Sequence, residues 1–213
     1  MLDPQDIQMD TELRILEAAK IVFVQKGMDG AVMQDIADAA DISRTALHYY
    51  FRSKQKLFDA VLKDLFGRFL PRVEEIMCSD ISFREKIERF VHEYLDMFLA
   101  NPYLPNFVMN ELNKNPEKVI QRFTKGGLMS PNMRKRIEED LRQLHVSLEP
   151  AQFVMNLISM CVFPFIAKPL VEEFFANGLD DPFPRFIETR KEIIVDTLMS
   201  FIESRIGREV SVS

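Results

Sequence analysis

Between Met33 and Lys54 the chain reads MQDIADAADISRTALHYYFRSK, a pattern that commits this stretch to two short helices, a tight turn between them and cations directly after. Met33, Ile36, Ala37 and Ala40 recur at i, i+3, i+4 and i+7, one face of an amphipathic helix, with Gln34, Asp35 and Asp38 on the polar side. The turn falls at Ala40-Asp41-Ile42 and needs one residue at positive φ, for which Asp41 is the candidate, since aspartate tolerates that region better than most side chains. Ser43 is placed to cap the second helix through its hydroxyl. Ala46, Leu47 and Tyr50 then face inward, leaving Arg44, Thr45, His48 and Tyr49 outward. A cation, a hydroxyl, an imidazole and an aromatic ring on a short helix suit the base edges of a DNA major groove.

Charge is arranged consistently with such a surface. The 213 residues carry a formal net charge of -6, yet Arg44, Arg52, Lys54 and Lys56 fall in a run without a carboxylate. Alone, that run reads as a solvated helix end; behind a two-helix pattern it reads as a surface for phosphates, with the acidic remainder limiting indiscriminate binding.

From Thr11 to Gly27 (TELRILEAAKIVFVQKG) and from Asp35 to Phe58 (DIADAADISRTALHYYFRSKQKLF), the chain closely resembles the tetracycline-repressor (TetR) family of bacterial transcription regulators. The residues carrying the resemblance are Ile15, Leu16, Ala19, Phe23, Gly27, Ile36, Ala37, Ala40, Ser43, Leu47, Tyr50, Phe51, Ser53, Lys54 and Leu57. It implies an all-α homodimer: a three-helix DNA-binding head with a helix-turn-helix at residues 1–53, and a larger helical ligand-binding and dimerisation body at 54–213. It further implies groove or backbone contacts for Gln34, Arg44, Thr45 and Tyr49, a reading position for His48 where the family usually has tyrosine, and a phosphate contact for Lys54. Three departures stand out: Val32-Met33 replace a hydroxyl pair opening the second helix, Asp41 a turn glycine, and Thr45 a glycine of the recognition helix.

Helix one is legible without the resemblance. Ile15, Leu16, Ala19, Val22 and Phe23 form its stripe, Asp10 or Thr11 can cap its start, and Lys26-Gly27 supplies a left-handed stop. The fourth helix begins at Ser53 and carries Leu57, Phe58, Val61, Leu62, Leu65, Phe66 and Phe69 until Pro71 kinks or ends it. Ser82 and Glu85 open the fifth, whose apolar face runs from Phe83 to Leu99 before Asn101-Pro102 stops it. Shorter helices are expected from Pro105 to Lys114 and from Pro116 to Phe123, then a break at Lys125-Gly126-Gly127 and a helix from Ser130-Pro131 to about His145. Glu149-Pro150 starts the next, in which Phe153 to Ala167 is the most apolar stretch; its fifteen residues fall short of the ~20 needed to span a bilayer and read as a buried helix. The last runs from Pro182 to about Ile206 with Phe186, Arg190, Ile193, Ile194, Thr197, Leu198, Phe201 and Ile202 on one side. In the resembling family the last two long helices form the dimer bundle; read alone, these apolar faces serve equally as intramolecular core. Two recognition helices related by a two-fold axis would read half-sites of a palindromic duplex ~34 Å apart.

The 18 Phe and 12 Met residues lie mostly in the body and suit either a pocket for an unidentified small hydrophobic effector or an ordinary core. Candidate lining residues are Tyr94, Tyr103, Phe107, Asn110, Met155, Asn156 and Phe163, with the Met160 carbonyl freed by Pro164. Cys78 and Cys161 form no Cys-x-x-Cys pair, only His48, His92 and His145 are available, and no glycine-rich phosphate loop occurs, so no metal, cofactor or catalytic constellation is indicated. The N-terminus lacks a signal peptide's apolar core, which points to the cytoplasm and away from a membrane. The sequence thus leads to a ligand-released repressor. A DNA-bound interaction protein of the same fold with a protein partner and no small ligand is the alternative, and an enzyme comes third.

Overall fold

Helix α1 (Pro4–Gly30) starts earlier than the Asp10 or Thr11 cap expected from sequence, because Pro4 opens a helix with its φ preset and no N–H to satisfy. The structure is a computed structural model and describes residues 4–125, 130–175, 178 and 181–209; no strand occurs among them. The expected stop at Gly27 is present: its φ of 68° and ψ of 174° break the helix, after which one further turn reaches Gly30.

Two compact units follow from the chain's contacts. The first spans Met1–Phe69 together with Asn101–Tyr103, the second Leu70–Ala100 and Leu104–Ser213. In the first, α1 packs against α2 (Met33–Ala39), which packs against α3 (Arg44–Tyr50). The core is fully buried at Ile15, Ala19, Phe23, Ile36, Ala37 and Leu47, and α4 (Lys54–Cys78) adds Leu57, Phe58 and Val61 to it. Phe23 meets Phe58 edge-on at 4.8 Å. This burial explains why the unit extends to Phe69 and not only to the boundary expected at residues 53/54: a head of about fifty residues buries too small a fraction of its surface alone.

The α2–α3 turn is a Schellman closure. Asp41 has φ 52°, its N–H donates to the Asp38 carbonyl at 3.2 Å, and the Ile42 N–H donates to the Ala37 carbonyl at 3.0 Å. The same closure ends α8, with His145 at φ 55° and the Val146 N–H on the Leu141 carbonyl at 3.0 Å.

In the second unit, α5 (Phe83–Ala100) is capped by Ser82, whose Oγ accepts from the Glu85 N–H at 3.2 Å, and buries Phe83, Ile87, Phe90, Val91, Leu95 and Phe98. Helices α6 (Leu104–Lys114) and α7 (Pro116–Lys125) pair with each other, and the expected break at Gly126-Gly127 lies outside the described residues. Helix α8 (Pro131–Gln143) is capped by Ser130 and buries Met133, Ile137 and Leu141. Helix α9 (Pro150–Ile166) continues through a short α10 (Lys168–Leu170) and a π-helical turn at Val171–Phe175, and α11 (Pro182–Glu209) packs along α5 and against α9. No single described helix is long and apolar enough to cross a membrane.

Two sequence expectations change here. Helix α9 is buried along one face only, through Phe153, Leu157, Cys161, Pro164 and Phe165, while Met155 and Phe163 are 63% and 62% exposed. The expected α11 stripe straddles two faces: Ile194, Leu198 and Ile202 are buried with Phe183, Ile187 and Lys191, whereas Ile193 and Thr197 are exposed. Helix α4 passes through Pro71 to Cys78, so that proline does not end it.

Candidate nucleic-acid interface

Helix α3 presents the expected face. The Ser43 hydroxyl accepts from the Ala46 N–H at 3.1 Å and fixes where the helix begins, and Leu47, fully buried, pins its inner side. Ala46 and Tyr50 are half-buried beside it. Arg44, Thr45, His48 and Tyr49 all point outward, and Tyr49 is 77% exposed with its ring 5.4 Å from Tyr50 in an edge contact. A large aromatic held this far into solvent on a pinned helix is free to meet a partner surface.

Helix α2 opens without a side-chain cap at Val32 and keeps only the returning hydrogen bond of a capping box. Val32 offers no side-chain acceptor, but the Asp35 carboxylate accepts from the Val32 N–H at 3.3 Å and pairs with Lys26 at 2.8 Å. The Lys26 hydrogen bond, then that backbone hydrogen bond, holds the Asp35 carboxyl below its usual value. Gln34 is exposed, with its amide donating to Asp38 at 2.7 Å. Arg14 of α1 donates to the Ala40 carbonyl at 3.2 Å and so ties the turn to the first helix.

Lys54, the expected phosphate contact, is turned toward its own chain. Its ammonium donates to the carbonyls of Met28, Asp29 and Ala31 at 2.7, 3.2 and 2.8 Å, which occupies all three of its donors at the end of α1. The attraction is that of a cation for the carbonyl-rich end of a helix. By contrast Arg44, Arg52 and Lys56 are exposed and, among the described residues, their side-chain cations engage no partner. Elsewhere in the first unit, Lys20 of α1 pairs with Asp64 of α4 at 2.8 Å, and Arg68 pairs with Asp64 as well. Burial raises the Asp64 pKa, but hydrogen bonds from Arg68 and Lys20 outweigh it and leave the carboxyl below its usual value.

The seven candidate ligand residues do not converge. Tyr94 is sandwiched on α5, its ring 5.2 Å from Phe90 and 4.7 Å from Phe98, and burial pushes its phenol pKa upward. Phe107 is buried on α6, and Asn110 is exposed on the same helix. Met155, Asn156 and Phe163 sit on the exposed face of α9, because its other face supplies the core. Tyr103 belongs to the first unit, with its ring 6.1 Å from Phe23 and 5.8 Å from Phe58. The Met160 carbonyl freed by Pro164 is taken by Arg190, whose Nε donates to it at 3.2 Å. Grooves of 630 Å³ along α8 and the α8–α9 turn, and of 480 and 230 Å³ along α5, are lined by polar and charged groups such as Arg134, Glu138, Glu88 and His92, and by none of these seven.

The sequence reading missed the buried Lys86–Asp140 pair, 2.6 Å apart between α5 and α8. Its signal was present: Lys86 shares the inward face with Phe83, Ile87 and Phe90.

Residues 15–61 match the sequence profile of the bacterial regulatory proteins of the tetR family. The chain is 23% identical over 187 residues to the probable HTH-type transcriptional regulator YttP of Bacillus subtilis, covering 83% of this chain and 87% of that one. It is 33% identical over 81 residues to the HTH-type transcriptional repressor KstR2 of Rhodococcus jostii, covering 36% and 38%. In structure it is similar to the regulator FadR of Bacillus subtilis solved in complex with stearoyl-CoA, with a TM-score of 0.62, 15% identity, and coverage of 86% and 97%.

Proposed function

Because the chain belongs to the TetR family of transcriptional regulators, which are not enzymes, we propose that it is a homodimeric, cytoplasmic repressor released from a palindromic operator by an apolar effector. The observation that carries the reading is the outward face of α3, where Arg44, Thr45, His48 and Tyr49 stand free over a helix pinned by Leu47. Gln34 flanks it from α2.

A single recognition helix reads few bases, so two copies are required for an operator of useful length. The last two long helices carry the apolar groups for that pairing: Met155 and Phe163 on α9 and Ile193 on α11 are 63%, 62% and 50% exposed. Two such faces from two protomers would bury these side chains in an isologous four-helix contact.

For the effector, the relative solved with stearoyl-CoA supports a fatty acyl thioester as the first compound to test. Of the candidate lining residues in the second unit, Phe107 is buried and Tyr94 is half-buried between Phe90 and Phe98. An acyl chain entering there would favour a state in which α4, whose chain runs through both units, is tilted, and the coupling to DNA must be reciprocal. A second reading, a DNA-bound protein with a protein partner and no small ligand, is favoured by the ring-to-ring packing of Phe90, Tyr94, Phe98, Phe165 and Phe183 at 4.7–5.2 Å.

Fluorescence anisotropy on the duplex flanking the protein's own gene, titrated with stearoyl-CoA, tests these points together. The expected result is two protomers per site, with affinity falling about 5- to 150-fold at saturating thioester. Binding by a monomer, or no binding, would overturn the reading; binding indifferent to the thioester, without a thermal shift, would favour the second one.

A further inference from the structure

We propose that the phosphate contacts beside the recognition helix are made by Arg52 and Lys56, and that Lys54 is an intramolecular clamp closing the end of α1 onto the start of α4. This rests on the DNA-binding reading of the same surface.

The argument starts from the donors available. A lysine ammonium has three donors and no acceptor, and those of Lys54 are directed at the Met28, Asp29 and Ala31 carbonyls at 2.7, 3.2 and 2.8 Å. These carbonyls lie where Gly27 breaks α1 at φ 68° and where the chain turns toward α2. Lys54 is half-buried there. To reach a phosphate it would have to abandon all three acceptors, so the gain of one contact would be set against the loss of three charge-assisted hydrogen bonds.

Arg52 and Lys56 are placed differently. Both are exposed and both flank Lys54 in sequence; the Lys56 N–H donates to the Ser53 hydroxyl at 3.2 Å, but neither side-chain cation is engaged with any described group. Neither has to give up a protein partner to meet a phosphate. Arg52 follows the last residue of α3 by two positions, so its guanidinium stands beside the reading face, where bidentate phosphate contact is favoured.

The two roles separate experimentally, because a phosphate contact appears in the salt dependence of DNA binding and a clamp in thermal stability. Each phosphate neutralised contributes about 0.9 to the slope of log K against log salt, hence about 1.8 per residue in a complex with two heads. On the duplex flanking the gene, Arg52→Gln and Lys56→Gln are expected to flatten the slope by about that amount each, with Tm unchanged. Lys54→Met is expected to keep the slope and lower Tm by ~4 °C or more, from the loss of hydrogen bonds to a charged group. Lys54→Arg keeps the charge but replaces a compact three-donor head with a planar fork; it is expected to keep the slope and lower Tm, and it carries the comparison should Lys54→Met fail to fold.

A flatter slope for Lys54→Met with Tm intact would overturn the proposal, as would unchanged slopes for both Arg52→Gln and Lys56→Gln. Should the wild-type protein bind no DNA, the DNA-binding reading and the phosphate assignment fall together. The Tm of Lys54→Met still decides the clamp.

Discussion

At the scale of single residues, Asp41 shows how a departure from the family pattern is accommodated. Its φ of 52° is one that glycine adopts freely and aspartate tolerates, so the turn keeps its Schellman hydrogen bonds without the glycine. What remains is an exposed carboxylate next to α3. Asp41→Asn retains the backbone preference and removes the charge; it is expected to leave Tm within about 1 °C and to tighten DNA binding, most visibly at low salt. Ser43→Ala tests the neighbouring cap and is expected to cost about 1 kcal/mol, read by thermal melting as a fall of ~2–4 °C. These residues were legible because turn and cap chemistry is local: Asp41 and Ser43 act through their own backbone and that of the next few residues. Lys54 was not, since its acceptors lie at the end of α1 and one residue beyond it, 23 to 26 positions earlier in the chain, and no sequence spacing announces them.

Elements obey the same division between local and long-range information. The boundaries of α5, α8 and α9 follow from Ser82, Ser130 and Glu149 as caps and from Pro131 and Pro150 in the first turn, all readable from a few residues. Which face of α9 turns inward was not readable, because its apolar residues surround the helix and only its neighbours decide that Cys161 is buried and Phe163 exposed. Burial pushes the Cys161 thiol up to about 12, so a thiol reagent at pH 8 is expected to modify only the exposed Cys78 in the native protein and both thiols after denaturation. Modification of Cys161 in the native state would contradict the assigned inner face. In α4, Pro71 has no N–H to give the Gly67 carbonyl, yet the helix continues. Pro71→Ala is expected to raise Tm by several degrees, on the order of 1–3 kcal/mol, because one helical hydrogen bond is restored.

Over the whole molecule, stability rests on apolar burial punctuated by ion pairs whose pH dependence has a definite sign. Asp35 and Asp64 both have depressed carboxyl pKa values, so their contribution is complete above the ordinary carboxylate value near 4 and is lost as pH falls through the depressed ones. The melting temperature is accordingly expected to hold from about pH 8 to 5 and to fall below about pH 4. The Lys86–Asp140 pair has side chains 0% and 8% exposed, with Arg136 Nε a further 3.7 Å contact of Asp140. Lys86→Met is expected to destabilise by about 3–5 kcal/mol, while Lys86→Met with Asp140→Leu recovers most of that loss in a double-mutant cycle. The helical architecture and the two-helix motif were visible in periodicity and caps, whereas the scatter of the candidate ligand residues was not, because it depends on how helices far apart in sequence pack. The central claim is that α3 reads DNA through Arg44 and Tyr49, and the most direct measurement is the affinity of Arg44→Ala/Tyr49→Ala for the duplex flanking the gene. With two heads each losing contacts worth about 1–3 kcal/mol, affinity is expected to fall at least ~30-fold with Tm unchanged; unaltered affinity and sequence preference would contradict the assignment.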